Sequence, residues 1–392
     1  MKTSSAALRS GRHFLQIPGP TNVPERVRRA MDRAVIDHRG PEFAAMTAQI
    51  AEGLGIVFKT AGPVLVFPAS GSGGWEAALV NTLSAGDRVL VFDQGFFANG
   101  WAAVAERHGL KVQTIDHDWR RGVDVAALGE TLAGDAGHEV RAVLIVHNET
   151  STGVTSDIGA VRAALDGAGH PALLMIDAVS SLGSIDYRHD EWGVDVTVTG
   201  SQKGLMLPPG VSFNAVSAKA LAASKEAGLT RSYWDWEAML DANEKGFFPY
   251  TPATTILYGL RESLAMLREE GLDHVFARHR RLASACRRAV AAWGLEPYAA
   301  DESEASNTLT AVLMPDGHDA DRLREIILER FDLSLGTGLG KLKGKAFRIG
   351  HLGDLNDLML AGTLCGVEMG LGAAGVPFTP GGVQAALELL GA

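Results

Sequence analysis

Short apolar runs alternate with helical segments between residues 63 and 217 of this 392-residue chain. The runs are rich in Val, Ile and Leu, and they lack the apolar–polar alternation of a sheet with one face in water. Strands that are buried on both faces and covered by crossover helices explain this pattern. The predicted strands cover residues 64–67, 88–92, 142–146, 172–176, 194–199 and 211–215. The sequence therefore predicts an α/β domain around a mostly parallel sheet.

Helical periodicity fills the intervals between these runs. The predicted helices cover residues 73–83, 99–108 and 157–168. Asp157 stands where an N-cap is expected, because its carboxylate can accept hydrogen bonds from the free N–H groups of a first helical turn. Helices of this kind are the crossovers that a parallel sheet requires.

The pattern changes after residue 251. A long amphipathic stretch at 255–293 is expected to be helical, with an interruption at Gly271. Beyond it we expect strands at 308–314 and 345–349 and helices at 319–331 and 354–369. A chain of this length normally forms more than one domain. The expected parts are an N-terminal arm (1–20), a large domain (21–254), and a long linking helix with a smaller C-terminal α+β domain (255–392).

Composition narrows the range of partners and locations. The net charge of −10, without a long run of one sign, argues against nucleic acid or an anionic membrane as the partner. No segment is long and apolar enough to cross a bilayer, and the N-terminus lacks the apolar core of a secretory signal. The only two cysteines, Cys286 and Cys365, favour neither a disulfide framework nor a metal site. We therefore expect a cytoplasmic protein.

Polar clusters follow several of the predicted strands, where ligands collect in open parallel sheets. The glycine-rich residues 70–76 would let a ligand approach the backbone closely, and free N–H groups at the following helix would favour an anion. They match neither the dinucleotide fingerprint nor the P-loop. A second cluster, residues 147–153, follows the strand at 142–146. Taken alone, a tight turn explains the first cluster equally well, and a solvated loop explains the second.

Two ionisable residues, Asp177 and Lys203, each follow a predicted buried strand. A buried carboxylate is not expected to ionise without a cationic or hydrogen-bonding partner, and a pyridinium N–H is such a partner. A lysine in this position could form an imine if its amine were neutral. A single lysine is usually a solvated turn residue, but the ordered pair favours a functional site.

Taken together, these motifs resemble the class V aminotransferases of the fold-type I pyridoxal-phosphate superfamily, and most closely the serine–glyoxylate and alanine–glyoxylate branch. The resemblance extends from about residue 14 to residue 349. It rests on Pro18-Gly19-Pro20-Thr21-Asn22, Ser70-Gly71-Ser72-Gly73, Asn148-Glu149-Thr150-Ser151-Thr152-Gly153, Asp177-Ala178-Val179-Ser180-Ser181-Leu182-Gly183, Gly200-Ser201-Gln202-Lys203 and Arg348-Ile349-Gly350.

The resemblance implies a pyridoxal 5′-phosphate cofactor and assigns roles to particular residues. Lys203 would bond covalently to the cofactor and then carry the substrate proton. Asp177 would pair with the ring nitrogen. Val179 would cover one face of the ring and Phe97 the other, and the family often has tryptophan at the position of Phe97. The remaining implied residues are Ser72, Gly73, Gly74 and Gln202 at the phosphate, Thr150 near the ring hydroxyl, and Arg348 and Gly19 at the substrate carboxylate.

The resemblance also implies a homodimer with shared active sites. The segment 247–252 would reach across the interface, and Thr251 would donate to the phosphate in the partner subunit. Phe248 stands where the family commonly has tyrosine, and whether Tyr250 compensates is left open. The pair His38-Arg39 is more similar to the serine–glyoxylate branch than to the alanine branch, with Arg39 expected near the site.

The function implied is transfer of an amino group from a small amino acid to glyoxylate, giving glycine and a 2-oxo acid. Serine is the favoured donor, with alanine and aspartate as alternatives. A cysteine desulfurase-like lyase would need a thiol on a loop before Arg348, but residues 333–343 contain no cysteine. A non-catalytic binding protein of the same fold would usually carry a fused basic module, and this chain shows none.

Overall fold

The computed structural model describes residues 11–391 of the chain. Its strands form a seven-stranded sheet, a five-stranded sheet and a two-stranded ribbon. In chain order the strands are β1 (Phe14–Gln16), β2 (Val64–Phe67), β3 (Arg88–Phe92), β4 (Lys111–Ile115), β5 (Val140–Val146), β6 (Asn148–Glu149), β7 (Val154–Thr155), β8 (Leu173–Asp177), β9 (Val196–Gly200), β10 (Ser212–Val216), β11 (Glu296–Pro297), β12 (Leu309–Leu313), β13 (Leu333–Thr337) and β14 (Ala346–Gly350).

The seven-stranded sheet has the order β2-β10-β9-β8-β5-β3-β4. Neighbouring strands from β9 to β4 run parallel, whereas β10 is antiparallel to both β2 and β9. Every residue of β8, β9 and β10 is buried, as expected for apolar runs without alternation. The predicted α/β fold with a mostly parallel sheet is confirmed. The edge strand β4 was not predicted, because polar residues interrupt its apolar run.

Helices cover both faces of this sheet and complete the C-terminal part of the chain. Alternate residues of β3 belong to different hydrophobic clusters, Leu90 to one and Val89 to the other, so each face has its own core. Asp157 caps its helix by accepting from the N–H of Ala160 at 2.9 Å, as predicted. The helices are α1 (Glu25–Met31), α2 (Pro41–Phe58), α3 (Gly71–Thr82), α4 (Phe96–Arg107), α5 (Val125–Gly134), α6 (Ile158–Gly167), α7 (Ala218–Glu226), α8 (Trp236–Asn243), α9 (Thr254–Glu270), α10 (Leu272–Ala292), α11 (Ala320–Phe331), α12 (Asp357–Ala373) and α13 (Gly382–Leu390).

The five-stranded sheet lies in the C-terminal part and has the order β1-β13-β14-β12-β11. The predicted long helix is divided into α9 and α10 at Gly271, which has a φ of +82°. The two strands expected in this part are β12 and β14. The stretch 333–343, treated as a loop in the sequence, begins with strand β13 instead. A third hydrophobic cluster joins this sheet to α10, α11 and α12.

The N-terminal strand β1 pairs in parallel with β13 of the C-terminal sheet. The chain then passes over the carboxyl edge of the larger sheet, where the N–H of Thr21 donates to the carbonyl of Gln202 at 3.1 Å. Residues 1–10 of the expected arm lie outside the described residues. Within residues 11–391, none of the helices has the length and apolar character that a membrane crossing would need.

Candidate active site

A cavity of about 210 Å³ lies at the carboxyl ends of β5, β8 and β9. Because these strands run parallel, the residues that follow them meet at the same edge of the sheet. The N–H of His147 donates to the carbonyl of Asp177 at 2.9 Å, which keeps the first two strand ends in register. The cavity is lined by Gly19, Pro20, Ser70, Gly71, Ser72, Trp75, Phe97, Val146, Thr150, Asp177, Val179, Gln202 and Lys203.

Lys203 is buried at this cavity, with 7% of its surface exposed. Its ammonium nitrogen Nζ donates to the carbonyl of Pro18. Burial lowers the pKa of Lys203 to about 7, and the positive charge of Arg348 acts in the same direction. A substantial fraction of the amine is therefore neutral near pH 7, which is the form that attacks a carbonyl carbon.

Gly19 leaves the space that the lysine side chain occupies. A Cβ atom at this position would lie 2.4 Å from Cδ of Lys203, and the backbone has a φ of +104°. Both the close approach and the positive φ require glycine here. Gly19 therefore holds the N-terminal segment directly against Lys203.

Asp177 is the last residue of β8 and is 3% exposed. One carboxylate oxygen accepts from the N–H of Val179 at 2.7 Å, and the other accepts from the indole Nε1 of Trp75 at 2.8 Å. Burial raises the pKa of Asp177 to about 6 despite these hydrogen bonds. A cation placed beside this carboxylate would favour its ionised form.

The side chains of Val179 and Phe97 both line the cavity, and Thr150 lies beside them. A Cβ atom on Gly71 would lie 2.7 Å from a methyl carbon of Val179, so the start of α3 approaches the valine closely. The hydroxyl of Thr150 donates to Oγ of Ser180 at 2.8 Å. An aliphatic side chain and an aromatic ring therefore lie at one cavity.

Helix α3 directs its N-terminus toward the same cavity. Ser70, Gly71 and Ser72 line the cavity, whereas Gly73 and Gly74 do not. The N–H groups of Gly73 and Gly74 donate to the carbonyl of Ser70 at 2.9 and 3.2 Å. The N–H groups of the first two helical residues have no partner within a helix, and such groups attract anions.

Gln202 lines the cavity immediately before Lys203. Its side-chain oxygen is buried, and no hydrogen-bond partner for it occurs in the described part of the chain. A buried acceptor without a donor is costly unless a ligand donates to it. Gln202 is therefore suited to contact a bound polar group.

Arg348 is not among the residues that line the cavity, and it is 7% exposed. It donates from Nε to the carbonyl of Thr337 and from a terminal nitrogen to the carbonyl of Thr150, both at 2.7 Å. Burial lowers the pKa of its guanidinium to about 10, so it stays positively charged at neutral pH. It is a buried cation close enough to Lys203 to influence the charge of the amine.

The segment 247–252 does not contribute to the cavity of its own chain. Thr251 is exposed, outside the cavity lining. The ring of Phe248 packs edge-on against Phe43 with 6.0 Å between centroids, and Tyr250 stacks on Tyr233 at 4.2 Å. The guanidinium of Arg39 donates to His38 at 2.7 Å.

Two side chains gained roles in the structure that the sequence had not assigned. Trp75 supplies the indole N–H that holds Asp177. Glu149 is fully buried beside the cavity residues and accepts hydrogen bonds from α4. Trp75 lies in the glycine-rich cluster 70–76 and Glu149 in the polar cluster 147–153. An aromatic N–H donor in the first cluster and an acid in the second were the features of the sequence that could have indicated these roles.

These groups fit the cofactor that the resemblance implies. A buried amine of lowered pKa suits an aldehyde, and the carboxylate of Asp177 suits a protonated ring nitrogen. Val179 and Phe97 offer an aliphatic and an aromatic contact for a planar ring. The N-terminus of α3 suits a phosphate.

Comparison with known proteins agrees with this chemistry. The class-V aminotransferase family profile matches residues 13–339. The chain is 50% identical to the serine–glyoxylate aminotransferase of Methylorubrum extorquens over 98% of each protein. It is 48% identical to the L-aspartate–glyoxylate aminotransferase of Paracoccus denitrificans, over 95% of this chain and 94% of that protein. The ureidoglycine–glyoxylate aminotransferase of Bacillus subtilis shares the fold with a TM-score of 0.91 and 28% identity, covering 98% of this chain and 100% of that one.

Proposed function

Because the chain belongs to the class-V aminotransferases, we propose that it transfers the amino group of serine to glyoxylate, giving glycine and a 2-oxo acid. The protein is a transaminase that depends on pyridoxal 5′-phosphate. The observation that carries the proposal is the pair of Lys203 and Asp177, both buried at one cavity. The 50% identity to a serine–glyoxylate aminotransferase supports serine as the donor.

Pyridoxal phosphate supplies an electron sink that allows the Cα–H bond of a bound amino acid to break. Asp177 would hold a proton on the ring nitrogen, because its buried carboxylate is stabilised by a neighbouring cation. Val179 and Phe97 would orient the ring, and Trp75 would orient Asp177. Thr150 would lie beside the ring hydroxyl.

Phosphate binding falls to the start of α3 and to Gln202. We assign Ser72, Gly73 and Gly74 to the phosphate site, with Gly71 added because it lines the cavity. The N–H groups of Gly71 and Ser72, which have no partner within the helix, would bind an anion without a charged side chain. Such a site fixes the cofactor while leaving Lys203 free to move.

Lys203 would carry the proton of the reaction. Its amine is buried, and with a pKa of about 7 it can accept a proton from the substrate Cα and return it at the same pH. Arg348 would bind the substrate carboxylate through its guanidinium, and Gly19 would line the same pocket. The proximity of Arg348 to Lys203 would place the carboxylate and the Cα–H bond on neighbouring groups.

We further propose a homodimer in which each site is completed by the other subunit. Thr251 is exposed and lies outside the cavity of its own chain, so a contact between Thr251 and a phosphate would require a second chain. Arg39 is assigned near the site because the pair His38-Arg39 is similar to the serine–glyoxylate branch. We place the enzyme in the cytoplasm, because its two cysteines are free and one of them, Cys365, is exposed.

A half-reaction screen tests the donor. The purified holoenzyme is mixed with serine, alanine, aspartate or glutamate, and the loss of the visible cofactor absorbance is followed. Serine is expected to react with the largest second-order rate constant, and glyoxylate is expected to restore the absorbance. A strong preference for glutamate would contradict the serine–glyoxylate assignment.

Aspartate is the second candidate donor, favoured by the 48% identity to an L-aspartate–glyoxylate aminotransferase. A β-carboxylate needs a further cation besides Arg348, whereas the serine hydroxyl does not. A faster half-reaction with aspartate than with serine would therefore replace the first assignment. The variant Lys203→Ala is the control, and it should not transfer the amino group of any donor to glyoxylate.

A further inference from the structure

Glu149 is a buried carboxylate at the site for which the proposed chemistry has no use. Its side chain is 0% exposed and its two oxygens accept four hydrogen bonds. One oxygen accepts from the N–H groups of Phe97 and Ala98, both at 3.2 Å. The other accepts from the N–H of Ser151 at 2.9 Å and from its hydroxyl at 2.7 Å. The carboxylate therefore joins the start of α4 to the ribbon that carries it.

Glu149 acts as the N-cap of α4 although it belongs to a different element. The residue at the cap position is Gly95, which has no side chain to accept from the first turn. A Cβ atom there would lie 2.2 Å from Cγ of Glu149, so the glycine makes room for the incoming carboxylate. The hydroxyl of Ser151 accepts from the N–H of Phe96 at 3.0 Å and extends the cap. Burial raises the pKa of Glu149 to about 7, and the four hydrogen-bond donors and the helix dipole favour its ionised form.

The same residue is linked to the groups on the other side of the cavity. Thr150 follows Glu149 directly, and its carbonyl accepts from the guanidinium of Arg348 at 2.7 Å. The Thr150 hydroxyl is held by Ser180, which lies on the loop after β8. A shift of Glu149 would therefore change the positions of both the ring of Phe97 and the guanidinium of Arg348.

We propose that Glu149 is a positioning residue that sets the ring of Phe97 and the guanidinium of Arg348 relative to each other across the cavity. The inference deepens the proposed function and rests on it, because it assumes that the cavity binds pyridoxal phosphate. Glu149 touches neither cofactor nor substrate in this assignment. It acts through the first turn of α4 and through the backbone of Thr150.

Glu149→Gln separates this role from simple space filling. The glutamine has nearly the same shape, but only one of its two terminal atoms accepts hydrogen bonds. Its NH₂ group must then face either the N–H groups of α4 or the N–H of Ser151, where donor meets donor. One of the two attachments is lost, and α4 or the ribbon is released.

The test measures the cofactor itself as well as turnover. In the Glu149→Gln holoenzyme we expect a weaker visible circular dichroism band, because the asymmetric surroundings of the ring are loosened. We also expect the dissociation constant for pyridoxal phosphate and the KM for the donor to rise about tenfold or more, since hydrogen bonds to a charged group are lost. Asp124→Ala is the control for loss of a helix cap, because Asp124 caps α5 through the N–H groups of Ala126 and Ala127 and lies outside the cavity lining.

The inference is overturned if Glu149→Gln loses stability as Asp124→Ala does but keeps the dichroism band, the cofactor affinity and the KM of the wild type. If Glu149→Gln does not fold, Ser151→Ala decides, since it removes the hydrogen bond that the hydroxyl donates to the carboxylate and the one that it accepts from the N–H of Phe96. An unchanged dichroism band in Ser151→Ala would then refute the role. A wild-type protein that binds no pyridoxal phosphate would refute the proposed function instead, before either variant is compared.

Discussion

Gly19 shows how one backbone position can control a reactive side chain. Replacing it by alanine would put Cβ 2.4 Å from Cδ of Lys203, at a φ of +104°. We expect Gly19→Ala to lower the affinity for pyridoxal phosphate at least about tenfold, because Lys203 must move. The positive φ should also cost about 1–3 kcal/mol of stability. Cofactor titration and thermal unfolding measure the two effects.

Gly11 supplies the control for backbone strain. It has a φ of +94°, and no atom lies within 4 Å of a Cβ placed there. Gly11→Ala should therefore show the effect of positive φ without the collision. Equal losses of cofactor affinity in Gly11→Ala and Gly19→Ala would mean that the contact with Lys203 is unimportant.

The lowered pKa of Lys203 predicts how cofactor binding depends on pH. Its pKa of about 7 lies below the ordinary value of 10.5, so the amine is protonated and unreactive below pH 7 and neutral above it. The rate at which the apoenzyme gains the visible band should rise about tenfold per pH unit below this midpoint and level off above it. Mixing apoenzyme with pyridoxal phosphate across this range measures the profile.

Arg348 provides an independent check on that profile. Its positive charge lowers the pKa of Lys203, whereas the negative charges of Asp177 and Glu149 raise it. Arg348→Gln should therefore move the midpoint to higher pH, because a repelling charge is removed. A midpoint that does not move to higher pH would contradict a role of Arg348 in lowering the pKa of the amine.

At the scale of elements, the start of α3 depends on glycine for its closeness to the sheet. A Cβ on Gly74 would lie 2.7 Å from Cγ1 of Val198 on β9. Gly74→Ala should push α3 away from the sheet, at a cost of about 1–3 kcal/mol, and shift the first-turn N–H groups. We expect weaker binding of pyridoxal phosphate, and a smaller loss for cofactor analogues without a phosphate. Gly129→Ala within α5, where no atom lies within 4 Å, should instead stabilise the protein by about 1 kcal/mol.

The elements that carried a strong pattern could be predicted from the sequence. Runs buried on both faces, such as β8 and β9, gave an unbroken apolar signal. Gly271 and Asp157 marked helix ends because their backbone and side-chain chemistry is local. Strand β4 was not predicted because it is an edge strand with polar residues in its sequence. Strand β1 was not predicted because it has three residues and pairs with β13, which lies far along the chain.

For the whole molecule, contacts between residues far apart in the chain were likewise the ones that the sequence did not predict. The candidate cavity could be predicted because parallel strands end at one edge, which brings Asp177 and Lys203 together. The hydrogen bond from Trp75 to Asp177 could not, because it joins residues that no local pattern relates. The cap of α4 by Glu149 belongs to the same class. Such contacts depend on tertiary packing.

The proposed dimer predicts that two inactive variants restore each other. Lys203→Ala removes the reactive amine, while Thr251→Trp places a bulky ring on a side chain that is exposed in its own chain. If Thr251 acts in the partner subunit, every mixed dimer has one site with both residues intact. Unfolding and refolding an equal mixture should then give about a quarter of the wild-type activity, as expected for random pairing.

The same mixture distinguishes a shared site from a site built within one chain. If Thr251 served its own cavity, each chain in the mixed dimer would still carry one defect, and no activity would return. Thr379→Trp is the matched control, because it changes another exposed threonine, in the C-terminal part of the chain. Thr379→Trp should be active alone. When it is refolded with Lys203→Ala, the activity of the mixture should equal the fraction of chains that keep Lys203. Recovery that rises with the proportion of mixed dimers would therefore place Thr251 across the interface, since no arrangement within a single chain produces it.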